Sequence, residues 1–197
     1  MAVADKSTSI DASEESPELH TEDEAVEKAK PYVDGDRMAA ETFLKKYAVQ
    51  PSAHELDGEE GKYLEATPAD MWDRLAHAAA QVEDDPDYWE TRFRDALEDF
   101  KIVPQGSIMF ALGNPYQKSS CSNCFVLPLE DSIEGIFKTM GEMAKTYSYR
   151  GGVGVDISKL RPRNTAVRNA ARKSTGAVSF MDLFSHVTGL IGQANRR

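Results

Sequence analysis

Hydrophobic residues recur at helical spacing in three segments of the first hundred residues. Intervals of three and four positions predict helices over 37–49, over a segment that begins after Thr67, and over about 88–100. Thr67 suits the capping position of its helix, and Pro68 and Asp70 suit the first turn that follows. The large residues on the apolar faces are predicted to form a helical core. They include Met38, Phe43, Trp72, Leu75, Trp89, Phe93 and Phe100.

The pattern changes after residue 100, where short apolar runs alternate with amphipathic segments. Residues 103–107 predict a loop. The run Cys124–Leu127 predicts a buried strand, and residues 154–157 predict a second strand. Apolar stripes over 132–148 and 177–193 predict two helices, each following a strand. Alternation of strand and helix is typical of parallel βα units, so the predicted fold class is α/β.

Charge is distributed unevenly along the 197 residues, whose formal net charge is −10. Residues 1–100 carry 27 acidic and 10 basic side chains, whereas residues 101–197 carry 6 acidic and 13 basic ones. The acidic half is a poor surface for nucleic acid, while the basic half suits a phosphorylated small molecule. Residues 1–24 are rich in Ser, Asp and Glu, and we expect them to form a disordered acidic tail.

The sequence also limits the compartment in which the protein works. No apolar run approaches the roughly 20 residues needed to cross a bilayer, and the first residues lack the apolar segment of a secretory signal. Two cysteines are too few for a disulfide framework. We therefore expect a cytoplasmic protein with no membrane or nucleic-acid partner.

Cys121 and Cys124 form a C-x-x-C pair with three simple interpretations. A zinc site needs further ligands, and no histidine lies at metal-binding spacing, so no metal ligands are predicted. A thioredoxin-like site would put the pair at the start of a helix after a strand, but here the apolar strand follows the pair. The third interpretation is a pair of thiols without a chemical role.

Two further segments have both a structural and a functional interpretation. Gly151 and Gly152 permit a tight turn, and they would equally let backbone N–H groups approach a phosphorylated ligand. Their pattern matches neither a dinucleotide-binding motif nor a P-loop. The loop predicted over 158–176 carries Arg161 and Arg168 among several basic residues. These arginines could form a solvated charge cluster or bind phosphate through their guanidinium groups.

The segments SNCFVLPLEDS (122–132) and RGGVGVDISKLRP (150–162) resemble the catalytic barrel of ribonucleotide reductase large chains. The resemblance extends over about 37–197, and it is closer to the adenosylcobalamin-dependent class II than to class I. The implied fold is an N-terminal helical domain over 25–102. It is followed over 103–197 by the first portion of a ten-stranded α/β barrel, which is incomplete in this chain.

The resemblance implies roles for individual residues. Cys124 matches the cysteine that supplies reducing electrons and forms a disulfide with a cysteine much later in the chain, whereas Cys121 has no counterpart. The residues implied at the substrate site are Ser107, Asn123, Cys124, Gly151 and Gly152. The residues implied at the site for the allosteric effector, a deoxynucleoside triphosphate or ATP, are Asp131, Ser132, Ile133, Arg161 and Arg168. The helices over 132–148 and 177–193 would meet a second copy of the chain in a homodimer.

The implied activity is the reduction of ribonucleotides to deoxyribonucleotides for DNA synthesis by a thiyl radical. In that family the radical removes the ribose 3′ hydrogen, the 2′ hydroxyl leaves as water, and a cysteine pair reduces the product. The radical cysteine and the second reducing cysteine have no match here, so we expect a companion polypeptide to carry the rest of the barrel. The chain could be a fragment, a split-gene subunit or one half of a sequence that an intein interrupts, and the sequence leaves these three origins open. Adenosylcobalamin would be bound mainly outside this chain.

Three alternatives stay open at this point. The chain could be a nucleotide-binding regulatory or dimerisation module without catalysis, or the large chain of a class I reductase that depends on a metal-containing radical subunit. It could also be a metal- or redox-linked C-x-x-C protein. Whether the substrate is a diphosphate or a triphosphate is also open.

Overall fold

The computed structural model describes residues 18–52 and 61–192. Within these ranges, helices come first and a strand–helix–strand–helix unit follows. The α-helices are α1 (Glu22–Ala29), α2 (Arg37–Lys46), α3 (Pro68–Ala80), α4 (Pro86–Leu97), α5 (Gly106–Ala111), α6 (Ile133–Ser148) and α7 (Ala177–Gly192). The strands are β1 (Cys124–Leu127) and β2 (Gly152–Val155), and short 3-10 turns occupy Lys30–Val33 and Glu98–Phe100.

A first hydrophobic core lies among helices α1 to α5. Its large buried members include Phe43, Leu44, Met71, Trp72, Leu75, Leu97 and Met109. The predicted cap of α3 is confirmed, because the Thr67 side chain accepts a hydrogen bond from the Asp70 N–H and the Asp70 carboxylate accepts one from the Thr67 N–H. This reciprocal capping box satisfies backbone donors that the first turn of α3 would otherwise leave without partners.

Some apolar residues of the predicted helices are more exposed than expected. Met38 is 77% exposed, because it lies five positions, or about 140°, from the buried Phe43 around the axis of α2. Trp89 is 37% exposed and stacks on Phe93 at the rim of the core, with ring centroids 5.4 Å apart. Phe100 is 39% exposed, since it lies in the 3-10 turn beyond α4. Helix α2 also ends at Lys46, earlier than the predicted 49.

Helix α5 begins at Gly106, although residues 103–107 were expected to be a loop. An arginine of α3, Arg74, whose side chain is 11% exposed, holds the end of this short helix. The Arg74 guanidinium donates to the Met109 carbonyl at 2.9 Å and to the Leu112 carbonyl, and it forms an ion pair with Glu65 at 2.5 Å. Hydrogen bonds from Arg74, more than thirty positions away in sequence, thus stabilise α5. A local sequence pattern cannot predict such distant contacts.

The strand pair β1–β2 is parallel, as predicted, and α6 connects the two strands. Cys124 pairs with Gly152 at one end of the register, and Leu127 pairs with Val155 at the other. Strand β2 therefore starts two residues before the predicted 154–157. A second hydrophobic core joins this pair to α6 and α7. It includes Leu127, Leu129, Ile136, Met140, Met143, Tyr147, Val153, Val155, Leu160 and Phe184.

The prediction that β1 is buried is wrong. Cys124, Phe125 and Val126 are exposed, Val126 by 83%, and Leu127 is half-buried. Successive side chains of a strand point to opposite faces, so Cys124 and Val126 lie on the face opposite Leu127, and α6 and α7 cover only the face that carries Leu127. A continuous apolar run is typical of a strand that is covered on both faces, and the residues described here cover one.

Some predictions concern residues outside the described ranges. Most of the segment 1–24 lies there, and its described part includes the first turn of α1, which Thr21 caps. The sequence also predicts a loop or hairpin over 50–66 around Asp57 and Gly58. Its residues 53–60 lie outside the described ranges, as do the last residues, 193–197. No helix in the described part of the chain is long and apolar enough to cross a membrane.

Candidate functional site

A cavity of about 340 Å³ opens where the helical half of the chain meets the parallel strand pair. We call it the thiol cavity. Its lining residues are Lys46, Tyr47, Gly106, Ser107, Asn123, Cys124, Arg150 and Gly152. Four of the residues implied at the substrate site, Ser107, Asn123, Cys124 and Gly152, therefore share one cavity. The fifth, Gly151, is the buried neighbour of Gly152.

Asn123 ties two sides of the thiol cavity together. Its side-chain Oδ1 accepts a hydrogen bond from the Ser107 N–H at 3.1 Å, and its Nδ2 donates to Gln105 Oε1 at 2.9 Å. Its backbone carbonyl accepts from the Gly152 N–H at 2.6 Å. The side chain thus fixes the start of α5 while the backbone fixes the start of β2. Cys124, the residue after Asn123, therefore lies between the start of α5 and the start of β2.

The turn before β2 is too crowded for a side chain at position 151. A Cβ on Gly151 would lie 2.6 Å from Thr146 Cγ2 and 2.9 Å from Phe125 Cε2. The Gly151 N–H donates to the Thr146 carbonyl at 2.9 Å, near the C-terminus of α6. A Cβ on Gly154, by contrast, would meet only the Phe125 carbonyl, at 4.0 Å. Close packing thus accounts for the glycine at 151, and Gly152 contributes backbone to the cavity wall.

The two cysteines have different surroundings, although both are exposed and both are free thiols in this structure. Cys124 forms the first rung of the strand pair and lines the thiol cavity. Cys121 lies in a bend three residues earlier and is not among the residues that line the cavity. The bend is held by the hydrogen bond from the Ser120 N–H to the Tyr149 carbonyl at 3.0 Å.

Sequence reasoning missed four residues of the thiol cavity: Lys46, Tyr47, Gly106 and Arg150. Lys46 and Tyr47 lie at the end of α2, about sixty residues before Ser107, so their position depends on tertiary packing. The Tyr47 ring lies 3.4 Å from where a Cβ on Gly106 would be. For Arg150 the sequence did hold a signal, since a large charged residue directly precedes the glycine pair.

A second cavity, of about 360 Å³, lies between the start of α6, the loop after β2 and the start of α7. We call it the loop cavity. The five residues implied at the effector site, Asp131, Ser132, Ile133, Arg161 and Arg168, all line it. It is completed by Ile136, Val167, Asn169, Ala171, Lys173, Ser174, Thr175 and Phe180. Cationic and apolar groups thus meet in one open cavity, a combination that suits a ligand with phosphate and a ring.

Arg161 and Asp131 form an ion pair at the loop cavity that includes two hydrogen bonds. Arg161 Nε donates to Asp131 Oδ2 at 2.6 Å, and Nη2 donates to the Asp131 backbone carbonyl at 3.0 Å. Asp131 directly precedes Ser132, whose Oγ accepts the Gly135 N–H at 3.0 Å and so caps α6. The arginine therefore fixes the loop against the first turn of α6.

The loop after β2 folds back on itself as an irregular hairpin. The Asn164 N–H donates to the Ser174 carbonyl at 2.9 Å, and the Val167 N–H donates to the Arg172 carbonyl at 3.0 Å. Gly176 closes the loop with φ +86, and a Cβ there would lie 2.9 Å from the Arg163 backbone nitrogen. Glycine is required at 176 for both reasons. The hairpin brings Arg168 and Lys173 to the same cavity.

Asp156 marks the point where β2 passes into this loop. The pKa of its carboxyl is lowered, chiefly because the Ser158 N–H donates to Oδ1 at 2.9 Å, with the Ser158 hydroxyl and Lys159 acting in the same direction. A carboxyl with a lowered pKa stabilises the folded chain above its ordinary pKa, and this contribution is lost as the pH falls through the lowered value. The turn at Asp156 is thus weakened by acid.

Neither a metal site nor a complete cobalamin site is formed by the residues in hand. Within 18–52 and 61–192, no group of three or more His, Cys, Asp or Glu side chains could hold a metal ion. The thiol cavity, at about 340 Å³, is too small for a corrin ring with its nucleotide tail. Its lining residues therefore do not form an adenosylcobalamin site by themselves.

Comparison with known families agrees with the division into a helical half and a strand–helix half. Residues 34–117 match the family model for the all-alpha domain of ribonucleotide reductase, and residues 122–197 match the model for its barrel domain. Together the two models cover most of the chain. The chain therefore belongs to the family of ribonucleotide reductase large chains.

Individual relatives agree with this assignment. The chain is 31% identical to a vitamin B12-dependent ribonucleoside-diphosphate reductase of Mycobacterium tuberculosis over 147 residues. These matched residues cover 72% of this chain and 21% of that protein. It is 34% identical over 110 residues to a reductase of the same name from Thermoplasma acidophilum, covering 56% of this chain and 14% of that one. It is 27% identical over 139 residues to the ribonucleoside-diphosphate reductase subunit alpha of Chlamydia muridarum, covering 71% and 13%.

The chain thus spans about a fifth or less of the length of these relatives. The ranges matched by the two family models include the residues that line both cavities.

Proposed function

We propose that this chain supplies the helical domain, over 25–102, and the first part of a ten-stranded catalytic barrel, over 103–197, of a ribonucleotide reductase. The observation that carries the proposal is the thiol cavity. An exposed thiol, Cys124, borders it beside the side chain of Asn123 and the backbone of Gly152. A reducing thiol must be reached by substrate and later by a partner thiol, and an exposed cavity edge allows both.

In the proposed reaction Cys124 acts as one of two reducing thiols. The ribose 2′ hydroxyl leaves as water, and C2′ receives hydrogen in its place. Two thiols together release two electrons and two protons, and a disulfide forms between their sulfur atoms. The second reducing cysteine and the radical cysteine belong to parts of the barrel outside these 197 residues, either continuous with this chain or on a companion polypeptide.

The thiol cavity is proposed to take a ribonucleoside diphosphate. The relatives from M. tuberculosis and T. acidophilum are both named ribonucleoside-diphosphate reductases, which supports a diphosphate substrate. Both are also named as vitamin B12-dependent, which supports class II and adenosylcobalamin as the cofactor of the assembled enzyme. The resemblance to class I alpha subunits is weaker, at 27% identity for the C. muridarum protein.

The loop cavity is proposed to bind the allosteric effector, a deoxynucleoside triphosphate or ATP. Arg161, Arg168 and Lys173 bring three cations to it, and guanidinium groups match phosphate oxygens in geometry. Next to this cavity, α6 and α7 carry exposed apolar side chains that suit the proposed homodimer contact. They are Ile133, Phe137, Val178, Met181 and Leu190.

The test is reconstitution. The purified chain is assayed for deoxynucleotide formation alone and together with polypeptide that carries the rest of the barrel, adenosylcobalamin and a dithiol. We expect turnover only in the complete mixture. Deoxynucleotide formation by the chain alone, or an inactive complete mixture in which the chain is folded and bound to its partner, would contradict the proposal.

A second candidate function is nucleotide binding and dimerisation without catalysis. The observation in its favour is that the loop cavity is lined entirely by residues 131–180 and needs no other part of a barrel. Under this alternative the chain alone should bind a deoxynucleoside triphosphate and dimerise with it. The reconstituted mixture should then stay inactive, and replacing Cys124 should change nothing that can be measured.

A further inference from the structure

One arginine of the thiol cavity has a role that neither the family resemblance nor the proposed reaction assigns. Arg150 directly precedes Gly151 and Gly152 and has φ +66, in the left-handed region that few residues other than glycine adopt. Its backbone N–H donates to the Tyr147 carbonyl at 2.9 Å, which closes the end of α6. Such a conformation persists only where surrounding contacts offset its cost.

The side chain of Arg150 provides contacts of this kind, and they reach into the helical half of the chain. Nη2 donates to the Lys46 carbonyl at 3.2 Å, across 104 positions of sequence. That carbonyl belongs to the last residue of α2, where unsatisfied carbonyl groups give the helix end a partial negative charge. The guanidinium Cζ also lies 3.4 Å from the centroid of the Phe110 ring in α5.

We propose that Arg150 is a positioning residue that fastens the glycine turn to α2 and α5 and so holds the two walls of the thiol cavity in register. One wall consists of the end of α2 and the start of α5, and the other consists of β1 and the turn before β2. The Arg150 side chain contacts the wall formed by α2 and α5, and the Arg150 backbone is part of the wall formed by β1 and the turn before β2.

The contact pattern explains why this position needs arginine. A planar guanidinium stacks its face on a ring and still donates within its own plane, so it can serve Phe110 and Lys46 together. A lysine would keep the charge but has no planar face. The identity of the ligand in this cavity rests on the proposed function. The proposal that Arg150 connects the glycine turn to α2 and α5 does not depend on it.

Two backbone N–H groups report on the two walls. The Ser107 N–H donates to Asn123 Oδ1, and the Gly152 N–H donates to the Asn123 carbonyl. If Arg150 holds the walls in register, both hydrogen bonds should open more often once its side chain is removed. Residue-resolved hydrogen exchange in the chain measures this directly and requires no substrate.

We expect Arg150→Ala to speed exchange at Ser107 and Gly152 about 10-fold or more, and Arg150→Lys to recover only a small part of the protection. The matched control is Arg172→Ala. Arg172 also has a left-handed backbone, φ +60, but it does not line the thiol cavity. The Arg172→Ala variant should leave the hydrogen-exchange rates at Ser107 and Gly152 within twofold of those in the unsubstituted chain. Equal effects of the two alanine variants, or no effect of Arg150→Ala, would overturn the proposal.

Ligand binding separates positioning from direct contact. In the complete enzyme, Arg150→Ala should weaken binding of cytidine diphosphate at least 10-fold and leave binding of a deoxynucleoside triphosphate within twofold. Weaker diphosphate binding with unchanged hydrogen exchange would mean that Arg150 contacts the ligand instead, and the positioning role would be wrong. Faster exchange in a chain that binds no diphosphate would contradict the proposed function and leave the fastening intact.

A second variant keeps the test decisive if Arg150→Ala does not fold. Phe110→Leu retains an apolar side chain in the core but removes the ring face beneath the guanidinium. It should speed exchange at Ser107 and Gly152 in the same way, with little further effect from adding Arg150→Lys. Independent, additive effects of the two substitutions would contradict a shared contact.

Discussion

Arg161 and Asp131, thirty positions apart in sequence, are joined by two hydrogen bonds, from Nε to Oδ2 at 2.6 Å and from Nη2 to the backbone carbonyl at 3.0 Å. One partner stands at the start of α6 and the other in the loop after β2. Both side chains are partly exposed, at 38% for Arg161 and 31% for Asp131. Water therefore screens the ion pair, and its main effect is to orient the two groups that face the loop cavity.

The first prediction concerns the arginines of the loop cavity. Arg161→Ala and Arg168→Ala should each weaken binding of deoxynucleoside triphosphates roughly 10- to 150-fold, since a charge-assisted hydrogen bond to phosphate contributes about 1.5–3 kcal/mol. Titration calorimetry on the chain measures the affinity, and analytical ultracentrifugation measures effector-promoted dimerisation. The same substitutions should abolish that dimerisation.

Two control variants distinguish phosphate binding from general charge. Arg163→Ala removes a cation from the same loop, but Arg163 does not line the cavity, so affinity should stay within about twofold. Asp131→Asn keeps the size of the side chain but removes its negative charge, so it should weaken the ion pair that orients Arg161. If Arg163→Ala lowers affinity as much as Arg161→Ala, the loop attracts anions only through its total charge.

The second prediction concerns the two cysteines. In the complete enzyme, Cys124→Ser should abolish multiple turnover with a dithiol reductant, because serine cannot release electrons by forming a disulfide. Cys121→Ser should retain turnover within about twofold, since Cys121 does not line the thiol cavity. Product formation over many cycles provides the measurement, with each variant at equal concentration. Equal loss in both variants would remove Cys124 from its proposed role.

Local patterns were sufficient to predict five of the seven α-helices described in 18–52 and 61–192, namely α2, α3, α4, α6 and α7, and the parallel pairing of the strands. The capping box of Thr67 and Asp70 acts within four residues, and the apolar stripe of α6 repeats every three or four, so both can be read from a short window of sequence. The run that begins at Cys124 predicted a strand for the same reason. Pairing of two strands across one helix follows from their order along the chain.

Features that depend on distant contacts could not be predicted in this way. Helix α5 is held by Arg74 from α3, and Tyr47 reaches the thiol cavity only because the end of α2 meets the start of α5 at Gly106. The exposure of Val126 depends on what covers the second face of the strand pair. None of these contacts can be predicted from a periodic pattern or a fixed residue spacing in the sequence. The family resemblance indicated four of the residues that line the thiol cavity and five of those that line the loop cavity, which no local pattern would have brought together.

The third prediction tests the crowded glycine turn. Gly151→Ala should destabilise the chain by about 1–3 kcal/mol, because its Cβ would meet Thr146 and the Phe125 ring at under 3 Å. Gly141→Ala is the matched control in α6, where a Cβ would meet nothing within 4 Å. That variant should be stabilised by about 0.4–1 kcal/mol through lower entropy of the unfolded chain. Urea unfolding gives both values, and a neutral Gly151→Ala would mean that the turn relaxes freely.

The fourth prediction concerns the buried ion pair behind α5. Arg74 and Glu65 are 11% and 7% exposed in their side chains, and Glu65 Oε2 also accepts the Val49 N–H at 2.9 Å. Arg74→Met should destabilise the chain by about 3–5 kcal/mol, because it leaves the Glu65 carboxylate buried without its counter-ion. It should also speed hydrogen exchange in α5, since the Met109 and Leu112 carbonyls lose their donor.

Two further variants show whether the lost stability comes from an uncompensated charge. Adding Glu65→Leu to Arg74→Met removes the carboxylate as well and should recover a substantial part of the stability, because a buried ion pair can often be replaced by apolar side chains. Arg92→Ala, at an exposed position of α4, should change stability by no more than about 0.5 kcal/mol. Urea unfolding of the three variants measures the free energies. If the double variant is no more stable than Arg74→Met, the main loss comes from the hydrogen bonds to α5, and the cost of a buried lone carboxylate is minor here.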